Sequence, residues 1–192
     1  HDLIAIAAIQ ILDDDETREL HEVIGQALQA LPQELPPRRL FPHFLGAGHW
    51  DEAISLGDAA LRQAESYSRH KEAAHLCRGL RSVPTLSPKK KRRYLERMAD
   101  HLSRQGQSQE AARAFHELAH EAQSREESIY LALRQADELL GAGLISEGTS
   151  VLKELCRDYG IELPDKPLSL RIAYIVARVK VRRIPIEPSP ND

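Results

Sequence analysis

Aromatic residues are scarce in this chain. Three Phe, five Tyr and one Trp occur in 192 residues, with one Met and two Cys. Strand-favouring residues are thin outside residues 171–186, which argues against a sheet as the organising element. Cys77 and Cys156 show neither CxxC nor metal-ligand spacing, so a disulfide framework and a zinc ribbon are excluded. Both fall on apolar faces and read as buried free thiols of a reducing cytoplasm. The longest apolar run, residues 3–12 broken by Gln10, is about half a membrane span, and it lacks the basic flank and cleavage site of a signal peptide. No membrane span is expected. The net charge of -3 is too small to demand nucleic acid or a membrane surface.

What is abundant is Ala, Leu, Glu, Arg and Gln, residues that lose little side-chain entropy in a helix. The chain starts on His1 and ends in a Pro-rich stretch, so it is expected to be a segment of something longer. Its punctuation predicts a short apolar helix over residues 3–12, then one capped by Asp13–Asp15 that carries Leu20, Val23, Ile24, Ala27, Leu28 and Leu31 at three- and four-residue steps. Three prolines in residues 32–37 make a linker. Helices are then expected over residues 38–47, 50–66, 69–83, 88–105, 108–122, 125–141 and 145–159, with a last one near 167–183 where a strand remains an alternative for 175–181. Pro88 suits a first helical turn, Ser108 and Ser146 are expected N-caps, and Gly48, Gly106, Gly143 and Gly160 stand where left-handed caps would end helices.

Aligning the glycines exposes a repeat. Phe44, Gly48, Ala53, Gly57 and Ala60 recur in register with Leu102, Gly106, Ala111, Phe115 and Leu118, and with Leu139, Gly143, Gly148, Leu152 and Leu155. Ala64, Ser68, Ala73, Cys77 and Leu80 form a weaker copy. The large residue closes one helix, the small one permits a tight turn, the next small one allows close approach, and the last two fill the seam. The weaker copy either makes helix 50–66 serve two hairpins or is accidental. The pattern resembles the tetratricopeptide repeat, which implies an all-α fold, a tetratricopeptide-like α-solenoid of antiparallel hairpins whose role is to hold a partner; a plain bundle is the competing fold. Gly57, where a bulky residue is usual, and Pro42, inside a helix, weaken the first copy.

Residues 139–164, LLGAGLISEGTSVLKELCRDYGIELP, carry a narrower resemblance. Leu139, Leu140, Gly143, Glu147, Gly148, Leu152, Leu155, Gly160, Leu163 and Pro164, followed by the basic stretch Arg171 to Arg183, resemble the helical tail of large bacterial serine/threonine protein kinases with a STAND/AAA-type ATPase module. The opening His1, Asp2 and Ile4, with residues 16–21, resembles the end of that ATPase's winged-helix part. The resemblance implies that residues 1–31 end the ATPase-associated region, 37–164 form the repeats, and 165–192 form a basic terminal helix and Pro-rich tail. It further implies a cytoplasmic, non-catalytic arm in signal transduction. ATP and Mg would belong to the parent kinase, with no cofactor or catalytic residue here. A regulatory arm of a STAND-type DNA-binding transcription regulator is the alternative.

Other local signals are weak. His116 and His120 are four apart on one helix, but no third ligand follows, so no metal site is expected. Gly46 to Gly48 and Gly141 to Gly143 lack the Lys and Ser/Thr of a phosphate loop and read as turns. Lys89 to Arg93 is five basic residues without aromatic interleaving, which favours a solvated helix face over nucleic acid, although it asks for an acidic neighbour or ligand. Trp50 is expected to pack between hairpins. In a tetratricopeptide hairpin the first helix lines the groove. Counting back from Gly106 puts Arg93, Glu96, Asp100 and Arg104 there, and from Gly143 puts Tyr130, Leu133 and Asp137 there. These residues would bind an extended acidic or mixed-charge peptide, supplied by a protein partner or by another domain of the parent chain.

Overall fold

A computed structural model describes residues 13–158. Among them are eight α-helices and no strand: α1 (Asp14–Gln29), α2 (Pro37–Ala47), α3 (Trp50–Ser66), α4 (His70–Arg81), α5 (Pro88–Arg104), α6 (Ser108–His120), α7 (Arg125–Gly141) and α8 (Ile145–Asp158). The expected 3–12 helix, the Gly160 cap, the end of the 139–164 motif and the basic stretch 171–183 lie outside the described residues. The fold is all-α and tetratricopeptide-like, built from helical hairpins. Contacts group the chain into two compact units that divide between Gln105 and Gly106. In the first, α1 packs on α2, α2 on α3, α3 on α4 and α4 on α5; in the second, α6 packs on α7 and α7 on α8. No described helix is long and apolar enough to cross a membrane.

The turns follow the glycine register. Gly48, Gly106 and Gly143 have φ of 81°, 72° and 79°, the left-handed region that an L side chain enters only with strain. In the weaker copy Ser68 takes the same place with φ 53°, so that copy is a real hairpin turn and α3 does serve both α2 and α4. The positions after each turn are buried as the packing argument requires, except Leu155 of the third copy, which is half-buried. Ala53, Ala73 and Ala111 are fully enclosed, as are Cys77, Leu80 and Leu118, and Phe115 nearly so. With Ala at so many seam positions the backbones approach closely, and Leu does the filling that rings do elsewhere.

Gly57 does not weaken the first hairpin, and α2 continues through Pro42. A Cβ on Gly57 would lie 2.6 Å from Leu80 Cδ2 and 2.7 Å from Phe41 Cε2, and one on Gly79 would lie 2.9 Å from two atoms of the same Phe41 ring. The bulk missing at Gly57 is therefore supplied from α2, as Phe41 fills a cradle left by two glycines. Pro42 is exposed on α2, where its ring meets solvent.

Some local expectations need correction. Ser108 and Ser146 are helical residues, not N-caps; Gln107 caps α6 without a side-chain bond, and α8 starts at Ile145. A serine before an acidic residue fits the first turn as well as the cap, and sequence alone does not separate the two. The serines that cap are Ser87, whose Oγ accepts from Lys90 N, and Ser124, which accepts from Glu127 N. Asp13 caps α1 with a full capping box to Glu16. On α1, Leu20 and Val23 are exposed, as is Leu31 beyond its end. The face turned to α2 is instead the polar and small one, with Gly25 and His21 against His43, Phe44 and Gly46. Gly46 lies inside α2 and not in the turn, and a Cβ there would run into the His21 ring. Cys77 is buried but Cys156 only half-buried. Trp50 opens α3 and its ring covers the Gly48 turn.

Candidate functional site

The polar face of the first unit is built from α3 and α5, which flank α4. On α3, Asp58, Arg62 and Glu65 recur at steps of four and three, so one stripe carries all three. On α5 the matching stripe runs through Lys90, Arg93, Tyr94, Arg97, His101 and Arg104. Between the stripes lie two adjoining clefts. One, of about 490 Å³, is lined by Asp58, Arg62, Glu65, Lys90, Arg93, Tyr94 and Arg97. The other, of about 240 Å³, is lined by Glu65, Ser68, His70, Arg97, Asp100, His101 and Arg104.

Glu65 and Arg97 belong to both clefts and form the wall between them. Arg97 donates from Nε to Glu65 Oε1 at 3.0 Å and from Nη2 to Oε2 at 2.5 Å, a bidentate pairing that fixes both planes. His101 Nε2 is 3.0 Å from the same Oε1, and His101 Nδ1 is 3.2 Å from His70 Nδ1. Tyr94 donates its hydroxyl to Asp58 Oδ1 at 2.8 Å. Burial pushes the Glu65 carboxyl upward, but hydrogen bonds and charge from Arg97 and His101 outweigh it and hold the group below its ordinary value. The Arg97 guanidinium is raised: burial opposes it and Glu65 prevails. Burial and the bond to Asp58 push the Tyr94 phenol up. Behind this face the Cys77 thiol is pushed up to about 12, chiefly by burial, so it is a packing residue and not a nucleophile.

The charges do not cancel. Arg97 is paired with Glu65. Asp58, bonded to the neutral Tyr94 hydroxyl, keeps its negative charge against the three cations Arg62, Lys90 and Arg93 of the same cleft. Arg62, Lys90 and Arg93 make no ion pair with any described residue, and neither do Lys89 and Lys91. They gather at the positive end of α5, whose first turn holds no acid, and the field there favours an anion.

Of the residues expected to contact a partner, Arg93, Asp100 and Arg104 line these clefts. Glu96 is not among their lining residues and forms an ion pair with Arg92, whose Nε lies 3.3 Å from Glu96 Oε1. Tyr130, Leu133 and Asp137 lie on α7 in the second unit. There Tyr130 is 40% exposed, Leu133 and Asp137 are half-buried, and Arg134 Nη1 donates to Tyr130 Oη at 2.9 Å while its guanidinium covers the Phe115 ring at 4.4 Å. The α3 residues and Tyr94, Arg97 and His101 escaped the sequence reading. The four- and three-residue spacing of Asp58, Arg62 and Glu65 was the available signal. His116 and His120 pair through Nε2 at 3.1 Å on an exposed face, and among the described residues no three His, Cys, Asp or Glu side chains converge on a metal position.

Comparison with known proteins adds little. No protein-family model matches the chain, and no curated protein matches it. Among solved structures it is similar to a crystal structure of a Podosopora anserina kinesin light chain with nearly identical TPR-like repeats, at 17% identity and a TM-score of 0.39, covering 79% of this chain and 89% of that one. The fold assignment rests on the helices themselves.

Proposed function

We propose that this chain is a non-catalytic interaction arm that holds an acidic or mixed-charge peptide segment of a protein partner in the α3–α5 clefts. The observation that carries this reading is the trio Arg62, Lys90 and Arg93. They face a cleft without ion-pair partners, beside a Glu65–Arg97–His101 network that is already saturated and therefore rigid. A preorganised wall next to unneutralised cations is what recognition of an extended anionic segment requires. Arg104 would extend the contact along α5, and Tyr130, Leu133 and Asp137 would serve a further contact on α7.

Within this reading the chain is part of a cytoplasmic multidomain serine/threonine kinase. ATP, Mg and the catalytic groups would reside elsewhere in the parent, and the partner would be another protein or another domain of the same chain. Support comes from the 139–164 motif. The test is capture of partners from the native host with the wild-type chain and with Arg93, Arg104 and Tyr130 changed to Ala. Loss of specific partners from the folded variant is expected. Capture of every partner at unchanged affinity would place the binding surface elsewhere.

A further inference from the structure

The two adjoining clefts of the α3–α5 face differ in charge, although they share the Glu65–Arg97 wall. The first is lined by four cations, Arg62, Lys90, Arg93 and Arg97, and by two carboxylates, Asp58 and Glu65. Its lining therefore keeps a surplus of two positive charges. The second, its two histidines apart, sets Arg97 and Arg104 against Glu65 and Asp100 and is balanced. Glu65 is bound to Arg97 by two hydrogen bonds. The surplus of the first cleft thus rests with Arg62, Lys90 and Arg93, against Asp58 alone, whose Oδ1 accepts the Tyr94 hydroxyl.

We propose, on the reading that these clefts hold an anionic protein segment, that the first cleft is a site for one phosphorylated serine or threonine of that segment. A phosphoryl group carries about −1.5 to −2 charge at pH 7 and three acceptor oxygens, enough to cancel the surplus. A single Asp or Glu brings one charge and two oxygens, and it leaves one cation uncompensated. The donors suit the same group. Arg62 on α3 and Arg93 on α5 carry planar forks that pair bidentately with phosphate oxygens, and Lys90 adds a point charge. Lys90 and Arg93 are three residues apart and share one face of α5. They stand in its first two turns, where the helix dipole adds positive potential. The balanced second cleft offers nothing to a second phosphate, so the segment crosses the wall as a neutral or mixed-charge stretch. A nucleic-acid strand repeats its phosphates and would need the surplus to continue along the face, but it stops at Glu65 and Arg97.

The experiment is titration of the full chain with one mixed-charge decapeptide in three forms, carrying phosphoserine, Glu or Ser at its centre. Calorimetry gives the affinity, amide shifts give the place, and the phosphorus signal gives the ionisation of the phosphate. The phosphoserine form should bind at least about tenfold tighter than the Ser form and about fivefold tighter than the Glu form. Its second phosphate pKa, about 6 when free, should fall on binding. Arg62 and Arg93 are exposed, so their change to Gln leaves the fold intact. Each change should weaken the phosphoserine form by at least about fivefold. Lys89→Gln removes a charge of the same helix end that does not line the cleft, and it should cost under about twofold. Phosphoserine and Glu forms of equal affinity at the clefts would overturn the phosphate site and leave the acidic-segment reading standing. Binding of no form at residues 58–65 and 90–104 would overturn both. An equal loss from Lys89→Gln, or displacement of the phosphopeptide by an equal concentration of a single-stranded DNA decamer, would show a diffuse polyanion surface in place of a phosphate site.

Discussion

Gly79→Ala places a methyl group where the ring of Phe41 already lies. The new Cβ would sit 2.9 Å from both Cε1 and Cζ of that ring and 3.3 Å from Leu45 Cδ2. Phe41 is 3% exposed and bounded on its other side by Gly57, so it has no direction in which to yield. Overpacking of this kind costs about 1–3 kcal/mol. Against it stands the intrinsic helix preference of Ala over Gly, about 0.8–1 kcal/mol, because Gly79 lies within α4. The net effect should be a loss of about 0–2 kcal/mol in the wild-type background. Phe41→Leu removes the two clashing atoms, and then only the helix preference remains, so the same Gly79→Ala change should become stabilising by about 0.5–1 kcal/mol. This reversal of sign is the signature of the cradle. Urea denaturation of the four proteins of the cycle would read it, comparing midpoints at unchanged slope. Equal effects of Gly79→Ala in both backgrounds, within the roughly 0.5 kcal/mol expected of independent sites, would show that Phe41 does not fill the space between α3 and α4.

Three further outcomes are expected. Phe115→Ala should cost about 3–5 kcal/mol in thermal or chemical denaturation, because the ring is 2% exposed and covered by Arg134; a loss below about 1 kcal/mol would contradict the repeat register. Cys77, held up to about 12 by burial, should resist a thiol reagent at pH 8 in the native protein and react once urea unfolds it; rapid native labelling of Cys77 would refute its enclosure. Glu65 has a depressed folded-state value, so its contribution to stability is present above the ordinary carboxyl value of 4.5 and is lost as pH falls through the lower folded one. The melting-temperature gap between wild type and Glu65→Gln should accordingly narrow from pH 7 to pH 3, and a gap that widened would reverse the assignment.

The helices were legible because their ends are marked by residues with one physical meaning. Pro88 lacks an N–H, and Gly48, Gly106 and Gly143 take a left-handed φ, so α3 and α7 have the bounds the sequence predicts. Caps were less legible, since Ser108 and Ser146 suit two neighbouring positions equally. On α1 the apolar steps misled. Leu20 and Val23 are exposed, and the helix approaches α2 through Gly25 and His21, residues that periodicity does not flag. The candidate site was half legible. Repeat spacing picked out Arg93, Asp100 and Arg104, which line the α3–α5 clefts, and Glu96, which does not, while it passed over Arg97. Glu65 and Asp58 were out of reach because their bonds to α5 span 32 and 36 residues, a pairing created by the turns around α4 and by no local pattern.

The claim that the α3–α5 clefts receive an acidic segment is tested most directly by amide-shift mapping of the labelled chain with an Asp/Glu-rich decapeptide. Shifts should concentrate on residues 58–65 and 90–104, fade as salt screens the cations, and disappear in a folded Arg62→Glu, Arg93→Glu variant. Shifts confined to α1, α4 or residues 171–183, or unchanged by the double charge reversal, would contradict the account.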